Sequence, residues 1–259
     1  MSRKEMTVAS FRVENRAFLI FLLLAFGIAV PCFVLTTRGA PALLQLVLLI
    51  AGSYAPALAA GVAIFIEKDR DAWSDLIARI RRVHAPVHLY LSAIILPAVV
   101  WLIALVFGIL FDLSRETQWM TLLAFPLIFV TNFGEEIGWR GFALPFLMKR
   151  YNPLVASLIL GIIWGIFHMP LYLHEPMMAL TELALIVAVS VILAWFFINS
   201  RGSLVLCAFF HAGLNTWGQA ILPVQGGLAI FAGVALLLWV VVGFLIARNG
   251  SVLIAEKNI

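Results

Sequence analysis

LIFVTNFGEEIGWRGFALPF, residues 127–146, places two adjacent carboxylates and an arginine inside an apolar run. The flanks Leu127–Val130 and Phe142–Phe146 read as membrane-spanning helix. Glu135, Glu136 and Arg140 do not. A charge within a bilayer costs at least about 2.5–3.5 kcal/mol on insertion scales, so it persists mainly where it is paired or functional. The surrounding chain supports the membrane reading. Of its 259 residues 64% are hydrophobic and only 12% charged, against roughly 25% charged in an ordinary soluble domain. The net charge of +4 is no nucleic-acid signature, because the basic residues fall in loops between apolar runs and read as topology signals. Cys32 and Cys207 both lie in apolar segments and give neither a disulfide framework nor zinc-knuckle spacing.

Eight stretches approach the roughly 20 residues that span a bilayer: 17–35, 41–66, 87–111, 120–147, 153–173, 177–198, 203–221 and 226–247. The expected fold is therefore all-α, a polytopic transmembrane bundle of about eight spans forming one integral membrane domain over 1–259. The first run exceeds the 7–15 apolar residues of a signal peptide and is read as a retained helix. The fourth is over-long, and either tilts strongly or continues past the membrane surface. Segment 67–86 is charged, with Trp73/Ile77 and Ile77/Ile80 on shared faces, and predicts an interfacial amphipathic helix or a solvated one. With eight spans both termini share a side. That side collects 14 of the 17 Lys and Arg residues and the other only Arg38 and Arg115, Arg140 lying within a span. The positive-inside rule puts both termini in the cytoplasm. The brevity of the chain and its lack of organelle signals point to a bacterial inner membrane.

Few strongly polar residues remain inside the spans. Glu135, Glu136 and Arg140 lie in the fourth, His168 in the fifth, and His211 and Asn215 in the seventh. His174, Glu175 and Glu182 fall near span ends, where a charge costs little. Glu136 and Arg140 are i,i+4 and can pair. Glu135 is rotated about 100° away and must find its partner on another helix. His211/Asn215 and Trp164/His168 repeat the i,i+4 spacing. At 1.5 Å rise, Glu135 and His168 both lie about 21–23 Å from one end of their helices, and His211 and Asn215 about 12 and 18 Å from theirs. These depths allow one intramembrane cavity. A buried carboxylate suits a general base. An imidazole can share the activation of water, and a second imidazole with an Asn amide can hold an oxyanion. No HExxH and no GxSxG is present, so an ordinary zincin or serine hydrolase is unsupported.

Three motifs in order carry a family resemblance: Glu135-Glu136-Ile-Gly-Trp-Arg140, Trp164-Gly-Ile-Phe-His168 and His211-Ala-Gly-Leu-Asn215. The chain resembles the CPBP intramembrane proteases (the Abi family), which include type II CAAX prenyl proteases and bacteriocin-processing or self-immunity proteins. The resemblance covers a motif-bearing core of about 120–221, with Trp164 where Phe is the commoner form. It implies an endopeptidase acting on a membrane-tethered substrate, with or without a CAAX-like prenyl group. Glu135 and His168 would activate water and His211 and Asn215 would form the oxyanion site, with Glu136, Arg140 and Trp164 supporting. It implies no cofactor in that form. The alternative is a catalytic zinc on Glu135, His168 and His211, in which Glu136 becomes the base and its pairing with Arg140 is contradicted. A non-enzymatic immunity factor, scaffold or transporter using the same cluster is the other class of reading. The partners expected are the bilayer and a membrane-anchored peptide, with no nucleic acid, and the sequence leaves the oligomeric state open.

Overall fold

A computed structural model describes residues 3–111, 119–172, 175–221 and 227–255, with side chains from residue 15 onward. Among these the chain is helical throughout. In hydrocarbon, every backbone N–H and C=O must be satisfied within its own segment, which long apolar runs achieve as helices. The α-helices are α1 (Arg3–Thr37), α2 (Ala42–Glu67), α3 (Arg70–Ile80), α4 (Val87–Leu110), α5 (Phe125–Gly138), α6 (Leu144–Met148), α7 (Pro153–His168), α8 (Pro176–Asn199), α9 (Leu204–Ile221) and α10 (Gly227–Asn249). The fold is the expected polytopic membrane bundle.

Among the described residues, seven helical stretches are long and apolar enough to cross a membrane: Asn15–Thr37, Ala42–Glu67, Val87–Leu110, Trp119–Met148, Pro153–Tyr172, Pro176–Asn199 and Gly227–Val252. The eighth stretch counted from the sequence, α9, is a continuous helix that falls short of that apolar character. The reason is its place in the bundle. It packs on α4, α5 and α8 and is buried on most of its faces, so its neighbours rather than lipid accommodate His211 and Asn215.

The over-long fourth span is a composite. A 3₁₀ turn, Trp119–Ala124, leads into α5, a π-helical turn follows over Trp139–Ala143, and α6 completes it. The sequence explains the break. Pro145 has no N–H, and its ring clashes with the carbonyl four residues back, that of Gly141. The hydrogen bond that closes this turn instead runs from Leu144 N–H to the Trp139 carbonyl, a π-type step. Such turns recur at functional sites. The displaced Gly141 carbonyl accepts from Arg79 Nη1 at 2.8 Å, which ties α3 to the motif-bearing helix.

The amphipathic segment expected over 67–86 is α3, capped by Asp69, whose side chain accepts from Ala72 N–H at 2.8 Å. Leu76 is the buried residue, while Trp73 remains exposed. The face is set by the π-turn, because a Cβ on Gly141 would lie 2.7 Å from Leu76 Cδ1. A glycine there leaves the Leu76 side chain its room without displacement.

A second close approach fixes α5. A Cβ on Gly138 would meet Pro56 of α2 at 2.3 Å from its Cβ and 2.5 Å from its backbone carbonyl carbon. Backbone cannot swing aside as a flexible side chain does. Gly138→Ala is therefore expected to cost about 1–3 kcal/mol through overpacking and to displace the carboxylates at 135 and 136. Thermal unfolding in detergent together with a cleavage assay checks this, and both readouts should fall.

Candidate active site

Three helices place the candidate site side chains between them. α5 carries Glu135 and Glu136, both buried, and Arg140 follows in the π-turn, fully buried. α7 begins at Asn152, whose side chain accepts from Val155 N–H at 2.9 Å, with Pro153 at its first turn. It ends at His168 and so presents Trp164 and His168 one turn apart. α9 presents His211 and Asn215 at the same spacing. Behind them, Phe21 of α1 meets Trp139 edge-on at 5.3 Å between centroids, and Trp139 meets Phe167 at 5.2 Å. This aromatic packing locks α1, the π-turn and α7 together.

Glu135, Trp164, His168, His211 and Asn215 line one cavity of about 420 Å³, so the four residues expected to act on substrate share one space. Glu135 Oε2 accepts from Trp164 Nε1–H at 2.8 Å and lies 3.8 Å from His168 Nε2. That separation is too long for a direct hydrogen bond and is the kind a bridging water fills. His168 Nδ1 is 3.0 Å from the Trp164 carbonyl oxygen. A carbonyl only accepts, so Nδ1 carries the proton, and in the neutral ring Nε2 is left as an acceptor beside Glu135.

Glu136 lies outside the cavity wall, and its surroundings refine the expected division of labour. Its Oε1 accepts from Arg140 Nη1 at 3.2 Å, the anticipated i,i+4 pair. The same oxygen is 2.9 Å from His211 Nδ1. His211 was expected to be approached by Glu135. It lines the cavity with Glu135, but its carboxylate partner is Glu136. An ionised carboxylate only accepts, so Nδ1 is the donor, and Glu136 orients the ring. Arg140 also stacks on Trp164, its guanidinium carbon 4.2 Å from the ring centroid, a cation–π contact that strengthens out of water. Arg140 Nε and Nη2 and Glu136 Oε2 have no hydrogen-bond partner among the described residues.

Two features lay beyond sequence reasoning. The Glu136–His211 contact joins residues 75 apart, and no local spacing could reveal it. Glu182, expected at the interface, lines the same cavity, and its Oε2 is buried without a hydrogen-bond partner among the described residues. Glu175 precedes α8 as expected, and His174 lies outside the described residues.

A zinc ion would need Glu135, His168 and His211 to converge. Among the described residues no three His, Cys, Asp or Glu side chains form a group that could hold a metal ion. The residues as arranged do not fit that ligand set.

Residues 117–217 match the family model for type II CAAX prenyl endopeptidase Rce1-like proteins, and this stretch contains all three motifs. The chain carries an Rce1-like region. It is also 30% identical over 135 residues to a protein of Methanococcus maripaludis named CAAX prenyl protease 2, a match covering 48% of this chain and 49% of that protein. The chain thus spans about half the length of the curated relative it matches. The Rce1-like region ends within α9, two residues after Asn215, so α10 and all of the first three spans lie outside it.

Proposed function

We propose that this protein is an intramembrane endopeptidase that hydrolyses a peptide bond in a membrane-tethered substrate. The observation that carries the proposal is the shared cavity: a carboxylate, two imidazoles and a carboxamide from three spans line it, while the second carboxylate holds one imidazole from behind. The similarity to CAAX prenyl endopeptidases supports the reaction class and favours a substrate with a prenylated C-terminal segment.

In the proposed mechanism a water sits between Glu135 Oε2 and His168 Nε2, donating to both. Its oxygen attacks the scissile carbonyl carbon as Glu135 takes its proton. The tetrahedral oxyanion is received by the His211 ring and the Asn215 side-chain amide, groups held in place before the charge develops. Collapse breaks the C–N bond, and the proton on Glu135 passes to the leaving amine. Glu136 is the positioning residue that holds His211 through Nδ1. Trp164 fixes the Glu135 carboxylate. Trp164→Phe keeps the ring and removes this one donor, so it is expected to slow turnover about tenfold or more, the worth of about 1.5 kcal/mol for a hydrogen bond to a charged group, while cleavage stays measurable. The positive-inside distribution supports cytoplasmic termini in a cell membrane.

The test is direct. Purified protein in lipid is mixed with a farnesylated peptide ending in Cys-aliphatic-aliphatic-X, and the products are read by mass spectrometry. Cleavage at one peptide bond, lost in Glu135→Gln, is expected. A biological role that survives Glu135→Ala and His168→Ala in folded protein would leave the non-enzymatic reading, an immunity factor or scaffold, in its place.

A further inference from the structure

A separate cavity of about 480 Å³ opens between α3, α6 and the turn from α8 to α9. Arg79, Arg82, Lys149 and Arg201 line it, with Asp75 as the only carboxylate. Its remaining wall includes Met148, Phe197 and Ile198, at the ends of α6 and α8. We propose that it is a binding site for the phosphate headgroup of an anionic phospholipid.

Capping explains part of this charge. Arg79 donates to the Gly141 carbonyl, and Arg82 Nη1 donates to the Arg201 carbonyl. Capping does not explain all of it. A guanidinium offers five N–H donors; both caps engage Nη1 atoms, and Arg79 Nη2 also faces Asp75 Oδ2 at 3.5 Å. Arg82, Lys149 and Arg201 are exposed, while Arg79 is half-buried. Arg201 is held at φ 58°, followed by Gly202 at φ 92°. An arginine adopts the left-handed region at a cost that glycine would avoid, and its side chain lines the cavity. The turn is fixed by the Ser203 hydroxyl, which donates to the Arg82 carbonyl at 2.6 Å.

The occupant follows from the two halves of the lining. Cations gathered beside an apolar wall at span ends match an amphiphile, with the phosphate on the guanidinium and ammonium groups and the first methylenes on Phe197 and Ile198. An acidic peptide would have no use for that wall. The cavity also lies on the side that collects 14 of the 17 basic residues. There, each Lys or Arg near an anionic surface is worth about 1 kcal/mol, which converts to about fivefold in affinity. The proposal is independent of the peptidase reading.

Native mass spectrometry of the purified full chain, titrated with short-chain phosphatidylglycerol or phosphatidylcholine, tests it. Phosphatidylglycerol is expected to bind at least fivefold more tightly. Arg201→Asn, whose new residue accepts the left-handed backbone, should weaken phosphatidylglycerol about fivefold. The double variant with Arg82→Gln should weaken it about 25-fold, with phosphatidylcholine binding unchanged. Equal binding of the two lipids overturns the proposal, as does undiminished phosphatidylglycerol binding by folded Arg201→Asn. Inorganic phosphate binding as tightly as the lipid would mark a soluble-anion site. A poly-glutamate peptide that outcompetes the lipid would mark a peptide site. Either result overturns the lipid assignment.

Discussion

Glu135→Gln is expected to lower peptide-bond cleavage by about 10²–10⁴-fold, the usual contribution of a positioned general base, with little change in thermal stability. The substitution keeps the volume and the hydrogen bond to Trp164 Nε1–H, because an amide oxygen accepts as a carboxylate oxygen does. What it removes is the ability to take a proton from the water facing His168 Nε2, 3.8 Å away. Cleavage measured beside an unfolding curve separates the chemistry from the fold. Loss of both together would mean that Glu135 is a structural residue.

Glu136→Gln should behave in the opposite way. It leaves Arg140 fully buried and charged without its carboxylate, and it replaces the carboxylate that holds His211 Nδ1 by a neutral amide. Breaking a buried ion pair by removing one partner costs about 3–5 kcal/mol. A lowered unfolding midpoint is therefore expected together with lost cleavage. Replacing both partners, as in Glu136→Gln with Arg140→Met, removes the stranded charge and should recover most of the stability. Activity should stay low, because His211 still lacks its carboxylate. Recovery of full activity in that double variant would show that Glu136 matters only as the counter-ion of Arg140.

These contrasts rest on a division between the two carboxylates that was partly legible in the sequence. The one-residue offset of Glu135 and Glu136 on a helix separates their faces by about 100°, and the i,i+4 spacing to Arg140 identified the paired one. Both readings agree with the geometry. The pairing of Glu136 with His211 was not legible, because it depends on how α9 lies against α5. Apolar run length identified the spans, but α9 shows its limit: a helix enclosed by other helices need not look like one that faces lipid. The π-turn had a readable cause in Pro145. The part not visible was Arg79, arriving from α3 to satisfy the carbonyl that the proline displaces. Glu182 was misplaced for a similar reason, since its position near a span end says nothing about which way α8 turns it.

The central claim is that Glu135 and His168 activate water as a carboxylate and an imidazole, without a metal between them. Its most direct test is the cleavage rate of purified protein whose metal content is measured before and after chelation. The account predicts that activity persists when zinc and other transition metals are far below one per chain. Loss of activity on chelation, restored by stoichiometric zinc, would contradict it and would make Glu135, His168 and His211 ligands.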